Sequence, residues 1–90
     1  MKREIYVPAY EYLKFGNIFS GSLGDFNFKI FPIVEEKKVK VAVWMGEFCF
    51  EKSEIIFCEH FSLEGGVSLK IKNWLEEKVK WWKKKKYINI

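Results

Sequence analysis

The residues of this chain that could do catalytic or metal chemistry are few. His60 is the only histidine and Asp25 the only aspartate among the 90 residues, so a Ser-His-Asp arrangement would have to use both. Nothing in their spacing favours that arrangement. Cys49 and Cys58, together with His60, supply too few ligands at a recognisable spacing for a metal site. The sequence therefore predicts no catalytic residue, no metal and no cofactor, and we expect a non-enzymatic protein.

The two cysteines are also too few for a secreted fold held together by disulfides. On the hairpin predicted below, Cys49 and Cys58 are diagonal neighbours, about 7–8 Å apart, which is too far for a relaxed disulfide. We expect two packing cysteines rather than a redox pair. No apolar segment follows the basic N-terminus, and no run approaches eighteen apolar residues. We therefore expect no secretory signal, no membrane-spanning helix and a cytoplasmic location.

Glycines at 21 and 24 suggest a phosphate-binding loop, but the context does not support one. Phosphate loops direct backbone amides from a helix N-terminus, whereas a strand follows here, and neither common glycine motif is present. Composition instead predicts an irregular loop over residues 17–25. Its apolar members, Phe19 and Leu23, either fold back onto the sheet or contact a partner.

Positive charge is concentrated at the C-terminal end. Residues 70–90 hold eight lysines and two glutamates, a net charge of +6, whereas residues 1–69 have a net charge of −2. An anionic partner is therefore expected only at this end. The lysines can also simply complement a helix dipole beside packed tryptophans, or contact a membrane surface. Under the nucleic-acid alternative, the phosphate-binding residues are Lys78, Lys80, Lys83, Lys84, Lys85 and Lys86.

Two β-rich runs, residues 26–34 and 39–50, are separated by the charged turn Glu35-Glu36-Lys37-Lys38. A hairpin closed by these four residues places Val34 opposite Val39, followed by the pairs Pro32–Val41, Ile30–Val43 and Phe28–Met45. This face is wholly apolar and is the expected core face. The other face is mixed, with lysines beside Phe31, Ile33, Ala42 and Trp44.

A second hairpin is predicted to turn at residues 51–54 and to continue as a strand over residues 55–62. Pairing Phe50 with Ile55 gives an apolar row of Phe48, Phe50, Ile55, Phe57 and Phe61. This row has the opposite parity to the row of valines at 39, 41 and 43. Either both faces of the sheet are covered there, or a bulge near Met45-Gly46 shifts the phase.

The C-terminal third has helical periodicity. Ser62 is a plausible N-cap, although Gly65-Gly66 favours a helix that begins only near Val67. An arc of about 160° contains the apolar residues Leu63, Val67, Ile71, Trp74, Leu75, Val79, Trp81 and Trp82. The predicted fold class is α+β: one domain over residues 1–90, an antiparallel meander of three to five strands, and one C-terminal amphipathic helix on one face.

The N-terminal segment is harder to assign. Residues 5–7 resemble a short strand ended by Pro8, and residues 10–15 form either a strand or one turn of helix stopped by Gly16. Its aromatic residues either cover the mixed sheet face or leave it exposed. An exposed patch there would be a surface for a protein partner or for a homodimer.

Three segments resemble one known family. They are EIYVPAxEYLKFGNIFSGSLG at residues 4–24, AVWxGxxCFEKSEI at residues 42–55 and WLE at residues 74–76, where x marks a position that does not contribute. Together they resemble a family of small uncharacterised proteins carried on conjugative and phage-like mobile elements of bacteria. The resemblance implies no catalytic residues. It implies an accessory role, in which such proteins bind host machinery, including defence nucleases. The lysine-rich tail from Lys83 departs from the family pattern.

The sequence thus predicts an interaction module: a mobile-element accessory or inhibitor protein that binds a bacterial protein or nucleoprotein partner. The expected contact residues are Phe31, Ile33 and Trp44 on the mixed face, with Phe19 and Leu23 on the loop. The alternative is a nucleic-acid-binding protein that acts through its lysine-rich helix. A homodimer is compatible with either function.

Overall fold

A computed structural model describes residues 5–46 and 54–88 of the chain, with side chains as far as Lys84. Four strands form one antiparallel sheet in chain order, and a long C-terminal helix packs on one face of it, which confirms the predicted α+β class. We call the face under this helix the front face and the opposite one the rear face. The elements are α1 Tyr10–Leu13, β1 Phe19–Leu23, β2 Phe26–Ile33, a 3-10 turn Val34–Glu36, β3 Lys38–Met45, β4 Phe57–Ser62 and α2 Val67–Ile88.

The core lies between the front face and α2. Side chains alternate along a strand, so every second residue of β2 and β3 points toward the helix. In α2, residues four apart share one side, which lies against the sheet. This confirms the predicted helical stripe except at Trp81, which is 41% exposed, and Leu69, off the stripe, is exposed as well. The buried residues are Phe26, Phe28 and Ile30 of β2, Val39, Val41 and Val43 of β3, and Val67, Ile71, Leu75 and Val79 of α2.

The predicted register of the first hairpin is wrong by two residues. Pro32 pairs with Val39, and the pairs Ile30–Val41 and Phe28–Val43 follow. The turn begins one residue earlier than expected, because Val34 enters the 3-10 turn and Lys37 adopts the left-handed conformation at φ 54°. A shift of two residues keeps each side chain on its face. The predicted core face is therefore correct within β2 and β3 although its pairs are not, whereas Val34, expected on that face, lies in the 3-10 turn and is exposed.

β3 is shorter than predicted, and this removes the conflict of parity in the second hairpin. The strand ends at Met45, and Gly46 follows at φ 104°, a conformation that favours glycine. Phe57 and Phe61 pair directly with Val43 and Val39, so all four lie on the front face. The predicted register, in which Phe50 faces Ile55 and Phe48 faces Phe57, is wrong, because Phe57 pairs with Val43. Of the predicted turn at residues 51–54, residues 51–53 lie outside the described residues, as do Phe48 and Phe50.

The start of α2 differs from the N-cap prediction. Ser62 is the last residue of β4, and α2 begins at Val67, directly after Gly66 at φ 89°. The expectation that the glycine pair delays the helix is therefore correct. In the described part of the chain, no helix is both long and apolar enough to cross a membrane.

Two predictions for the N-terminal segment are wrong. Residues 5–7 form no strand, and residues 19–23, predicted as loop, form β1. Gly21 explains the second error: it pairs with Phe28, whose ring fills the space of a side chain, because a Cβ on Gly21 would lie 2.5 Å from the Phe28 Cζ. Here glycine marks a close approach within a sheet rather than a turn. Of the alternatives for residues 10–15, the single helical turn α1 is correct.

Candidate binding surfaces

The candidate chemical residues are dispersed. His60 and Cys58 are exposed on β4, opposite Lys40 and Ala42 of β3, whereas Asp25 lies in the turn between β1 and β2. The His60 backbone N–H donates to Glu59 Oε1 at 3.0 Å. Among residues 5–46 and 54–88, no three His, Cys, Asp or Glu side chains form a group that could hold a metal ion. Cys49 lies outside the described residues, so its predicted relation to Cys58 stays a prediction.

The rear face does not present the exposed apolar patch that the sequence predicted. Trp44 is only 6% exposed and Ala42 is fully buried. Phe31 and Ile33 are half-buried. A buried indole gives a partner little surface to contact, so the exposure expected of Trp44 is wrong. That Phe31, Ile33 and Trp44 bind a partner remains a prediction.

The polar part of the rear face is basic. Lys29 Nζ lies 5.3 Å and Lys40 Nζ 5.9 Å from the centroid of the Phe31 ring, within the range of a cation–π contact. Phe31 and Lys40 are directly paired residues of β2 and β3. By the alternation of the four strands, no aspartate or glutamate of β1–β4 points to this side. The rear face thus combines a half-buried ring with two ammonium groups.

Phe19 and Leu23 belong to β1 and point to the front face. Leu23 is 8% exposed. Phe19 is half-buried, with ring centroids at 5.5 Å from Tyr6, 6.4 Å from Tyr12 and 6.2 Å from Phe28. The expectation of a loop that presents both side chains to a partner is therefore wrong, and the alternative, that they fold back onto the sheet, is correct.

The N-terminal segment lies on the front side, next to the start of α2. Ile5 and Leu13 join the front core. The Ser68 hydroxyl donates to the carbonyl of Pro8 at 2.6 Å, which ties this segment to the first turn of α2. Its rings pack there as well, since Tyr6 and Tyr12 contact Phe19. The alternative in which its aromatic residues cover the mixed rear face is therefore wrong for Tyr6 and Tyr12.

One surface was not predicted from the sequence. Five of the eight large apolar side chains that are exposed in the described part of the chain belong to one region, and Phe15, at 75%, is the most exposed of them. The Tyr12 hydroxyl donates to the Ile18 carbonyl at 3.2 Å, and a Cβ on Gly16 would lie 3.5 Å from Val34 Cγ2. We call this set the N-terminal cluster: Tyr6, Tyr12, Phe15, Ile18 and Val34.

The length of α1 explains why Tyr12 remains exposed. A helix of four residues has a single inner side, on which Leu13 is buried and Tyr10 is half-buried against the core. Tyr12 and Phe15, three residues apart, share the outer side of the turn. Lys14 Nζ lies 5.1 Å from the centroid of the Phe15 ring and 5.9 Å from that of Tyr10. The sequence signal that could have indicated this surface was the pair Tyr12 and Phe15 on either side of Leu13, in a helical turn too short to bury their rings as well.

The lysines of α2 divide into two groups. Lys78 is half-buried, and its Nζ lies 4.9 Å from the centroid of the Phe57 ring and 5.4 Å from the Trp74 ring. Lys80, Lys83 and Lys84 are exposed, whereas the side chains of Lys85 and Lys86 lie outside the described residues. Of the predicted phosphate-binding lysines, Lys78 therefore differs from the exposed ones, because its ammonium group contacts two aromatic rings of the fold.

A shallow depression of about 460 Å³ accompanies the exposed lysines; its described lining residues are Glu77, Lys80, Trp81, Lys83 and Lys84. Trp81 is 41% exposed, and its other side packs edge-on against Phe57 with centroids 5.0 Å apart. Trp74 and Trp82, by contrast, pack against the core, as the sequence predicts. The indole of Trp81 is thus partly open among three cations.

Comparison with known proteins identifies no relative of this chain. No family model, no curated protein and no solved structure matches the chain.

Proposed function

We propose that this protein is a non-enzymatic interaction module, an accessory or inhibitor protein of a bacterial mobile element, that binds a bacterial protein or nucleoprotein partner through the N-terminal cluster. The observation that carries the proposal is the concentration of exposed apolar side chains in that cluster. Contiguous exposed apolar surface on a small protein is typical of an interaction site. Aromatic residues are also enriched at the centres of protein interfaces.

The composition of the cluster favours a protein partner over an anionic polymer. Two tyrosines, a phenylalanine and two aliphatic residues form it, and the charged residues of the adjoining helix, Glu11 and Lys14, have opposite signs. Such a surface gains its binding energy from desolvated rings, with little contribution from long-range attraction. Binding is therefore expected to depend weakly on salt. An exposed free thiol at Cys58 suits a reducing compartment, which supports a cytoplasmic location.

The test is capture of a partner from a lysate of the bacterial host, with nuclease treatment. Phe15→Ser should abolish capture, because it removes the most exposed ring of the cluster. Ile56→Ser is the matched control: Ile56 is also exposed but lies just before β4, at the opposite edge of the sheet from β1, and its substitution should leave capture unchanged. Equal capture by both variants would contradict the proposal, and the nuclease treatment separates a protein partner from a nucleoprotein one.

A second candidate function, nucleic-acid binding, is favoured by the grouping of Lys80, Lys83 and Lys84 around Trp81. Lysines neutralise phosphates, and an exposed aromatic ring can stack on an unpaired base. All the cations of this group are lysines, which suits contact with the backbone rather than bidentate recognition of bases. Sequence-independent binding of a single strand is the form this function would take.

Titration with a single-stranded oligonucleotide, followed by tryptophan fluorescence, tests this candidate. Binding should quench the fluorescence, and its affinity should fall steeply with salt. Changing Lys80, Lys83 and Lys84 together to Gln should weaken binding and lower the salt slope by about two, at about 0.7 for each lost phosphate contact on a single strand. Changing Lys37 and Lys38 to Gln at the β2–β3 turn is the control. Binding unaffected by 0.3 M salt and by the triple change would exclude this function.

A further inference from the structure

The two outer strands of the sheet differ in how they are protected. The sheet has the order β1-β2-β3-β4, so β1 and β4 each lack a strand on one side within the described residues. β4 carries Glu59 and His60, both exposed. β1, with the sequence FSGSL, carries no charge and no proline. Charged residues and prolines are the usual means by which natural proteins prevent edge-to-edge pairing. By this criterion β1 is unprotected and β4 is protected.

The hydrogen-bond pattern identifies the backbone groups on the outer side of β1. The Gly46 N–H donates to the Asp25 carbonyl at 3.1 Å, so odd-numbered residues of β2 bond toward β3 and even-numbered ones toward β1. Phe26, Phe28 and Ile30 therefore bond with Leu23, Gly21 and Phe19. The N–H and C=O groups of Ser20 and Ser22 accordingly point away from the sheet.

The available part of this edge has defined limits. The next outward carbonyl, that of Ile18, already accepts the Tyr12 hydroxyl. At the other end the strand stops at Leu23, and Gly24 turns at φ 63°. The edge therefore offers four backbone groups, two donors and two acceptors, on Ser20 and Ser22.

We propose that β1 pairs with β1 of a second copy of this chain, antiparallel and with the two-fold axis at Gly21. In this register Ser20 faces the partner's Ser22 and Ser22 faces the partner's Ser20, so all four outward groups of each copy are hydrogen-bonded. Registers displaced by two residues would need the carbonyl of Ile18, which is occupied, or Gly24, which is in the turn. The pairing joins the two four-stranded sheets into one continuous sheet.

The side chains support a second copy rather than an unrelated strand. The pattern of β1 is apolar, Ser, Gly, Ser, apolar, which is the same in both directions, so in the two-fold pair apolar residues meet apolar ones and serines meet serines; this is the self-complementarity of an isologous interface. Phe19 meets the partner's Leu23 on the front face, and the serines meet on the rear face. Tyr6 and Tyr12 pack on Phe19 and are exposed. Both lie beside this contact, so dimerisation reduces the solvent exposure of their rings.

Sedimentation equilibrium of the full chain from 1 to 200 µM tests the association, with 10.8 kDa as the monomer mass. The wild type should reach twice that mass. Ser22→Lys, which places a charge on the edge, should raise the dissociation constant at least about tenfold. His60→Lys, the same change on β4, should leave it unchanged. A wild type that stays monomeric at 200 µM, or a dimer that Ser22→Lys leaves intact, would overturn the proposal.

Two further measurements test whether the dimer forms through the β1 edge and in the proposed register. Ser20→Pro removes one outward N–H without removing a bond to β2, and it should dissociate the dimer while circular dichroism stays that of the folded chain. Hydrogen exchange should show the Ser20 and Ser22 amides protected in the dimer and exchanging rapidly at 1 µM. A dimer in which these amides exchange freely would overturn the register. Capture of a host partner by the monomeric variant is an independent result, because the dimer does not rest on the function proposed above.

Discussion

The front and rear faces of the sheet are made by the same strands, yet they differ in composition and in burial. On the front face, the inward residues of β2 and β3 are apolar and buried beneath α2. On the rear face, lysine, serine and asparagine alternate with a few apolar residues, and burial ranges from the complete burial of Ala42 to exposed Ser20. The stabilising free energy that comes from burying apolar surface is therefore concentrated on the front face.

Phe28 and Phe31 illustrate the contrast between the two faces. The two residues are of the same type and three positions apart in β2. Phe28 is 1% exposed and packs with Gly21 and Phe19, whereas Phe31 is half-buried between two lysines. Residue type alone therefore does not predict the energetic role of a ring. Parity along the strand adds the face that the ring joins, and the packing on that face decides how deeply the ring is buried.

The largest expected effect is a loss of stability from truncation on the front face. Phe28→Ala should lower the free energy of unfolding by about 3–5 kcal/mol, because it removes a fully buried ring and leaves a cavity. Phe31→Ala should cost about 1 kcal/mol, since its ring is only half-buried and its cation–π contacts are partly solvated. Urea denaturation of both variants measures the two values. Losses of equal size would show that the rear face is as much a part of the core as the front.

The next effect tests the close approach on the front face at β1. Gly21→Ala should cost about 1–3 kcal/mol, because the added methyl group would lie 2.5 Å from the Phe28 Cζ and the buried ring must shift. Gly65→Ala is the matched control, since no atom lies within 4 Å of its added Cβ. That variant should change stability by no more than about 0.5 kcal/mol. If urea denaturation gives the two variants equal midpoints, Phe28 does not occupy the space above Gly21.

The sequence predicts the parts of this fold whose signal repeats. Val67, Ile71, Leu75 and Val79 recur every fourth residue, and the valines of β3 recur every second one, so the helix and the core face follow from periodicity alone. A single residue cannot supply such a signal. Gly21 indicates a turn by composition, and only the position of the Phe28 ring shows that it belongs to a strand.

The candidate surfaces were less predictable for a related reason. Exposure depends on which face a segment packs against, and the bond from Ser68 to Pro8, sixty residues apart, places the N-terminal segment on the front side. No local pattern encodes that contact. The same limit applies to Trp44: its parity correctly places it on the rear face, but its burial does not follow from parity. The lysines of α2 were predictable as a group. Lys78 lies inside the apolar arc of the helix, so periodicity separates it from the other lysines, but no local pattern identifies the two rings that it contacts.

Lys78 is a charged residue inserted among aromatic residues of the front side, so it tests whether that side tolerates charge. Lys78→Gln should lower the free energy of unfolding by about 0.5–1 kcal/mol, because it removes the contacts of the ammonium with Phe57 and Trp74. Lys80→Gln, an exposed neighbour with the same change, should alter stability by a few tenths of a kcal/mol at most. Thermal denaturation of the two variants separates these values. If Lys78→Gln is more stable than the wild type, desolvation of the ammonium group destabilises the fold by more than its contacts with the two rings stabilise it.

The smallest expected effect concerns charge on the rear side. Lys38, at the end of β3, forms an ion pair with Glu36 at 3.8 Å, and both side chains are more than half exposed. An exposed pair contributes little, because water and salt screen the attraction and two long side chains must be held in place. Glu36→Gln should therefore change the free energy of unfolding by about 0.5 kcal/mol or less, and the difference should vanish in 0.5 M NaCl. Glu64→Gln, which breaks the similarly exposed pair with Lys70 near α2, should behave alike. A loss above 1 kcal/mol that persists in salt at position 36 alone would mean that charge pairing, and not only the front-face core, holds the β2–β3 hairpin in register.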